Sequence, residues 1–175
     1  MKRRIYQSIV LLAVAGTSFI ASGQESELSL YNKIAAAIGK TEPTFRLDRK
    51  AILPNQLVIR WTSEAGRALV SVNWFASEQE ARGALKSRIT EWEHIPEAKI
   101  SKRELDDSGD EGYIFKTDGD NRATIFFKKG IYVAQVVGPS DDTAKTFARK
   151  VSDLLPASNK SLHASRGSVF LMKLY

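Results

Sequence analysis

Residues 56–75, QLVIRWTSEAGRALVSVNWF, are the stretch of sequence that decides the fold. They are typical of an antiparallel hairpin with its turn at 63–66, and this turn places Thr62 opposite Arg67. The register puts only apolar cross-strand pairs on one face: Leu57 with Val72, Ile59 with Val70 and Trp61 with Ala68. The other face is mostly polar. A slip of one residue would mix the two sets, so the alternation itself predicts the register.

A helix is predicted directly after this hairpin. Ser77 and Glu80 have the spacing of a capping box, in which the serine oxygen accepts a hydrogen bond from a free backbone amide. Apolar residues then recur at three- and four-residue steps until Pro96, which ends the helix. The same signals predict two more helices, one from Glu27 to Ile38 and one capped by Ser140 that ends before Pro156.

The second half of the chain carries three further strand patterns, separated by tight turns. They are predicted over 112–116, 122–128 and 131–137. A turn at Lys129-Gly130 would place Phe127 opposite Tyr132. A short strand is also predicted within 45–53. Together these elements predict an α+β fold, a mainly antiparallel sheet of five to seven strands covered by two or three helices.

The first 23 residues are predicted to be a secretory signal peptide. A basic segment, Lys2-Arg3-Arg4, precedes an apolar run over 8–20, and Ala21 and Gly23 suit a cut before residue 24. The apolar run is shorter than the roughly 20 residues that a membrane anchor needs. We therefore expect an exported protein, periplasmic or extracellular, without a membrane anchor after cleavage.

The remaining chain is predicted to be a single α+β domain over 24–156, followed by a flexible connector and a terminal apolar strand within 157–175. The net charge of the whole chain is +6, and half of it comes from the three basic residues of the leader. So small a remainder is ordinary surface charge, and no nucleic-acid partner is expected. The chain has no cysteine, so no disulfide stabilises it.

The search for catalytic and metal-binding residues gives no site. Acidic residues cluster at 106–111 without the ligand spacing of a calcium loop, and solvated acidic turns beside strands are the preferred explanation. His94 and His163 lie far apart and no cysteine joins them, so no metal site is predicted. No cofactor motif is present and no cofactor is expected. A small secreted hydrolase that uses His94 with an acidic neighbour remains the alternative to a non-catalytic protein.

Candidate binding residues lie on the second hairpin and at one strand end. Basic and aromatic side chains are interleaved there, as in surfaces that bind polyanions or glycans, although a half-buried strand can have the same pattern. The candidates on the hairpin are Arg122, Phe126, Lys128 and Lys129. Trp74, next to Phe75 at the end of the first hairpin, is the remaining candidate. If Arg122, Phe126 and Lys128 formed a solvent-facing row, a weak polyanion or glycan binder would be favoured.

The segments GDEGY at 109–113, 122–138 and 144–155 resemble small exported bacterial proteins of unknown function. The strand–strand–helix order is similar to that of α/β/α sandwiches of the PsbP/Mog1 type. This resemblance implies a binding or assembly role rather than catalysis. The leading hypothesis is therefore a non-catalytic exported binding or accessory protein that meets an envelope or secreted protein through a sheet face or edge.

Overall fold

The computed structural model describes residues 27–95 and 99–156, so the predicted leader, connector and terminal strand lie outside the described residues. Helix α1 spans 27–41. The other elements, in chain order, are β1 (Arg46–Leu53), β2 (Gln56–Ser63), β3 (Gly66–Trp74), α2 (Glu78–Glu93), β4 (Ile100–Glu104), β5 (Glu111–Thr117), β6 (Ala123–Lys129), β7 (Tyr132–Gly138) and α3 (Asp141–Leu154).

The seven strands form one antiparallel sheet in the order β1-β2-β3-β7-β6-β5-β4. The predicted α+β class is confirmed, with a strand count at the upper end of the predicted range. Each half of the sheet is a meander followed by a helix, and the two meanders meet at the centre where β3 pairs with β7. Strands β1 and β4 are consequently the two edges.

The predicted register of the first hairpin is confirmed, with Thr62 opposite Arg67 and Trp61 opposite Ala68. Gly66 has a φ of +130°, a backbone conformation that a residue with a side chain rarely adopts. Both predicted helix caps are also present: the Ser77 hydroxyl accepts from the Glu80 amide, and the Ser140 hydroxyl accepts from the Thr143 amide, each at 3.2 Å.

The predicted register of the second hairpin is wrong by two residues. Lys129 pairs with Tyr132, so the turn lies one residue later than predicted, and Phe127 lies opposite Ala134. Gly130, with a φ of +55°, takes the first turn position. A shift of two residues keeps every side chain on its original face. The alternating pattern therefore predicted the correct faces but could not distinguish these two registers.

Strand β4 was not predicted from the sequence. Its residues, ISKRE, are mostly exposed because β4 pairs only with β5 and forms a sheet edge. Its charged side chains are used locally: Lys102 Nζ lies 2.8 Å from a Glu93 carboxylate oxygen and 4.5 Å from the centre of the Tyr113 ring. An edge strand covered with charges is a common protection against pairing with another chain.

Helices lie on both faces of the sheet. On the first face, α1 and α3 cover β2, β3, β6 and β7, and Phe147 of α3 contacts Phe45 and Trp61 edge-to-face at 5.3 and 5.5 Å. On the second face, α2 packs on Phe115, Phe126 and Val133 of β5, β6 and β7. None of the described helices combines the length and apolar character needed to cross a membrane.

Candidate functional site

The solvent-facing row considered for the second hairpin is not present in the structure. Arg122 is exposed, but Phe126 and Lys128 are only 1% and 3% exposed. Phe126 faces α2, and its ring lies 5.8 Å from those of Phe115 and Trp92. The interleaved pattern therefore belongs to a buried strand, because α2 covers the face of β6 on which Phe126 lies.

Lys128 holds the loop at 105–110 through Asp110, and Lys129 contacts the end of α3. Lys128 Nζ lies 2.9 Å from Asp110 Oδ2, and the same oxygen accepts a hydrogen bond from the Gly130 amide at 2.8 Å. Lys129 donates to the Ser152 carbonyl oxygen near the end of α3 at 2.6 Å. Both ammonium groups are thus held by intramolecular partners.

The other two binding candidates lie apart from this hairpin tip. Arg122 pairs with Asp120, two residues away, at 2.7 Å. Trp74 is half-buried against the first core, on the face opposite to that of Phe126. The structure therefore does not bring the five predicted binding residues together.

The residues of the hydrolase alternative are also separated. His94 is exposed at the end of α2, and its Nδ1 lies 2.7 Å from the Thr90 carbonyl oxygen of its own helix. Strand β4, which is roughly 15 Å long, lies between His94 and the acidic loop at 105–110 along the chain. In that loop Asp107 pairs with Arg149 at 2.8 Å. Within 27–95 and 99–156, no three His, Asp or Glu side chains are grouped to hold a metal ion.

Asp110 provides a testable contribution to stability that depends on pH. Partial burial alone would raise the pKa of its carboxyl group, but the Gly130 amide and the Lys128 ammonium outweigh burial and lower it. A lowered folded-state pKa stabilises the protein above the unfolded pKa of about 4, and this stabilisation is lost as the pH falls through the folded value.

We expect Asp110→Asn to lower the free energy of unfolding by about 1 kcal/mol at neutral pH, a value reduced by the exposure of the carboxylate. Urea unfolding at pH 7 and at pH 3 would measure the difference between the variant and the original chain. It should shrink at the lower pH, where Asp110 begins to be protonated in the original chain. Asp106→Asn, an exposed change in the same loop, is the control; an equal effect there would contradict this assignment.

Among the described residues, no helix covers the second face of β1, β2 and the start of β3, because α2 packs on the other half of the sheet, against β5, β6 and β7. We call this surface the arginine face. It consists of Arg46, Arg49, Val58, Arg60, Thr62, Arg67 and Leu69, none of which is fully buried.

The strand register brings the four arginines into two neighbouring rows. Arg46, Thr62 and Arg67 lie side by side across the three strands. In the next row Arg49 lies directly opposite Arg60, followed by Leu69. Cross-strand neighbours on one face have Cβ atoms about 4.5–5.5 Å apart, so the guanidinium groups share one small surface.

A β-bulge supplies a single acidic partner to this surface. The register of β1 shifts between Leu47 and Arg49, and the intervening Asp48 lies 2.5 Å from Nε of Arg60. Among the described residues, Arg46, Arg49 and Arg67 form no ion pair with an acidic side chain. At one end the surface adjoins an open cleft of about 830 Å³. The cleft is lined by Pro43, Thr44, Arg46, Thr62, Ser63, Glu64 and Ala65.

Comparisons with known proteins give little information about this chain. No protein-family model matches it, and no curated protein matches it. Among solved structures, the crystal structure of a GTP binding regulator from Thermotoga maritima is similar, with 15% sequence identity and a TM-score of 0.42. The match covers 69% of this chain and 87% of that one. So distant a similarity carries no argument about what this chain binds.

Proposed function

We propose that this protein is a non-catalytic binding or accessory protein of the periplasm or extracellular space, and that it contacts an envelope or secreted protein through the arginine face. The observation that supports the proposal is the uneven covering of the sheet: none of the three described helices packs on the second face of β1, β2 and the start of β3. Strands of a stable sheet normally bury one face and can use the other for recognition.

The composition of the open face also favours recognition. Val58 and Leu69 remain partly exposed between the arginines, so a partner could bury apolar surface as well as pair with charges. Arginine is enriched in protein interfaces, and lysine is depleted there. The four cations of this face are all arginines, whereas the two cations of α1, Lys33 and Lys40, are lysines.

The face is a better candidate than the edge strand β1. Strand addition needs a regular, accessible ladder of backbone groups, but the bulge at Asp48 interrupts β1 and charged side chains surround it. Both features are known to discourage edge pairing. The hydrolase alternative has no comparable support, because His94 bonds to its own helix rather than to an acidic side chain.

Site-specific photo-crosslinking would test this proposal. A photoreactive amino acid at position 69, beside Arg60 on the arginine face, should give a discrete covalent adduct in cells that export the protein. The same group at position 82, on the exposed side of α2, is the matched control and should give none. Adducts of equal yield at both positions, or no adduct at position 69, would contradict the proposal, and turnover of ester or glycoside substrates would favour the hydrolase alternative.

A further inference from the structure

We propose that the partner of the arginine face is an acidic protein segment, bound in an extended conformation, whose Asp and Glu carboxylates pair with the four guanidinium groups. This inference rests on the proposed function and names the chemistry of the partner.

The electrostatics of the arginine face favour an anionic partner. Like charges directly opposite each other on one sheet face are destabilising, and Arg49 lies opposite Arg60. An anionic partner would remove this repulsion.

Two acidic side chains of the described residues lie at this surface: Asp48 within it, and Glu64 at the adjoining cleft. Asp48 pairs with Arg60, so the described part of the fold leaves Arg46, Arg49 and Arg67 available for external carboxylates. The side chain of Arg60 is itself only 32% exposed. The charge available to a partner therefore comes mainly from β1 and from Arg67 at the start of β3.

The spacing of the arginines suits an extended acidic segment. Neighbouring strands lie about 4.8 Å apart, and side chains on one face of a strand repeat about every 6.8 Å. The backbone positions of the two rows are therefore spaced like alternate side chains of an extended peptide. Each guanidinium can also hold a carboxylate through two parallel hydrogen bonds, which a lysine ammonium cannot do.

The face lacks features that other polyanions would use. Single-stranded nucleic acids and sugars are bound by stacking on aromatic rings, but Trp61 and Trp74 of β2 and β3 both lie on the opposite face. Membrane surfaces are bound mainly by clusters of lysine and arginine beside aromatic or large apolar side chains. Here Val58 and Leu69 are partly covered by their neighbours, which suits a peptide contact better than insertion into lipid.

The test compares two double charge reversals in the full chain. Arg49→Glu with Arg67→Glu changes the arginine face, and Arg82→Glu with Arg88→Glu makes the same change of net charge on exposed positions of α2. The probe is a dye-labelled peptide of alternating Glu and Thr, and its binding is followed by fluorescence anisotropy at physiological salt. Because two arginines that would pair with carboxylates become glutamates that repel them, the first variant should lose at least about tenfold in affinity.

The control variant should bind the peptide within about twofold of the original chain, because long-range charge is screened beyond roughly 8 Å at this salt concentration. Thermal melting of both variants establishes that they fold. Equal losses in the two variants, or no binding of the peptide by the original chain, would overturn the inference. Tighter binding of a sulfated polysaccharide, duplex DNA or phosphatidylglycerol vesicles through the same arginines would also overturn it, in favour of that ligand.

The two proposals fail in different ways. If the photoreactive group at position 69 forms a specific adduct but the acidic peptide does not bind, the face is a docking surface for a partner of other chemistry. If the peptide binds in an arginine-dependent manner but position 69 forms no adduct in cells, the acidic recognition stands and the proposed cellular role is wrong.

Discussion

Phe147→Ala lowers the free energy of unfolding by about 3–5 kcal/mol, which is a large part of the total stability of a domain of this size. Phe147 is fully buried, and its ring contacts Phe45 and Trp61 edge-to-face. It therefore joins α3 to the loop after α1 and to the centre of β2. Removing it leaves a cavity between three elements that cannot all move inward, because Trp61 is fixed in the sheet.

Urea or thermal unfolding of the purified chain measures this effect. Phe75→Ala is the matched control: Phe75 is only partly buried at the edge of the second core, so the same substitution there should cost clearly less. Equal losses for the two variants would mean that α3 does not close the first core as described.

Much of the fold could be predicted from alternation and capping. In the first hairpin both strands have one wholly apolar face, so one register satisfies the burial of all three apolar pairs and the structure has that register. The helix starts at Ser77 and Ser140 were equally predictable, because a hydroxyl that caps free amides is a local interaction. These features depend only on neighbouring residues in the chain.

The features that were missed depend on position in the sheet. Strand β4 has a single neighbour and no buried face, so its sequence contains no alternation to detect. In β1 the bulge at Asp48 changes the face on which the following residues lie. A strict two-residue alternation therefore places Arg46 and Arg49 on opposite faces, although the bulge brings them to the same face. The observed register of the second hairpin differs from the predicted one by two residues. The alternation of apolar and polar residues cannot detect such a shift, because it leaves every side chain on the same face.

The candidate site could not be predicted for the same reason. The arginine face requires two facts about topology, namely that β1 pairs with β2 and that α2 packs on the far half of the sheet. Neither fact follows from local patterns. Conversely, Phe126 and Lys128 looked like a binding row because the sequence does not tell which helix covers β6. Both residues are in fact buried within the fold.

Gly109→Ala should also destabilise the protein strongly, by about 2–5 kcal/mol. Gly109 has a φ of +76°, so any side chain there costs about 1–2 kcal/mol from backbone conformation alone. In addition, a Cβ atom at this position would collide with the Lys128 carbonyl oxygen and would lie 2.8 Å from Cδ2 of Phe127. Both neighbours belong to the buried strand β6, so moving them away would disturb the packing of the core.

The chain contains a closely matched control for this prediction. Gly119 has almost the same φ, +78°, but a Cβ atom there would meet nothing within 4 Å. Gly119→Ala should therefore show the conformational cost alone, and the difference in stability between the two variants isolates the cost of the collision with β6.

The Gly109 amide also donates to the Ser152 hydroxyl at 2.9 Å, so displacing the loop would loosen α3 as well. Amide hydrogen exchange should consequently become faster at the end of α3 in Gly109→Ala and remain unchanged there in Gly119→Ala. Equal losses of stability in the two variants, with no change of exchange in α3, would show that the loop at 105–110 does not hold β6 and α3 together.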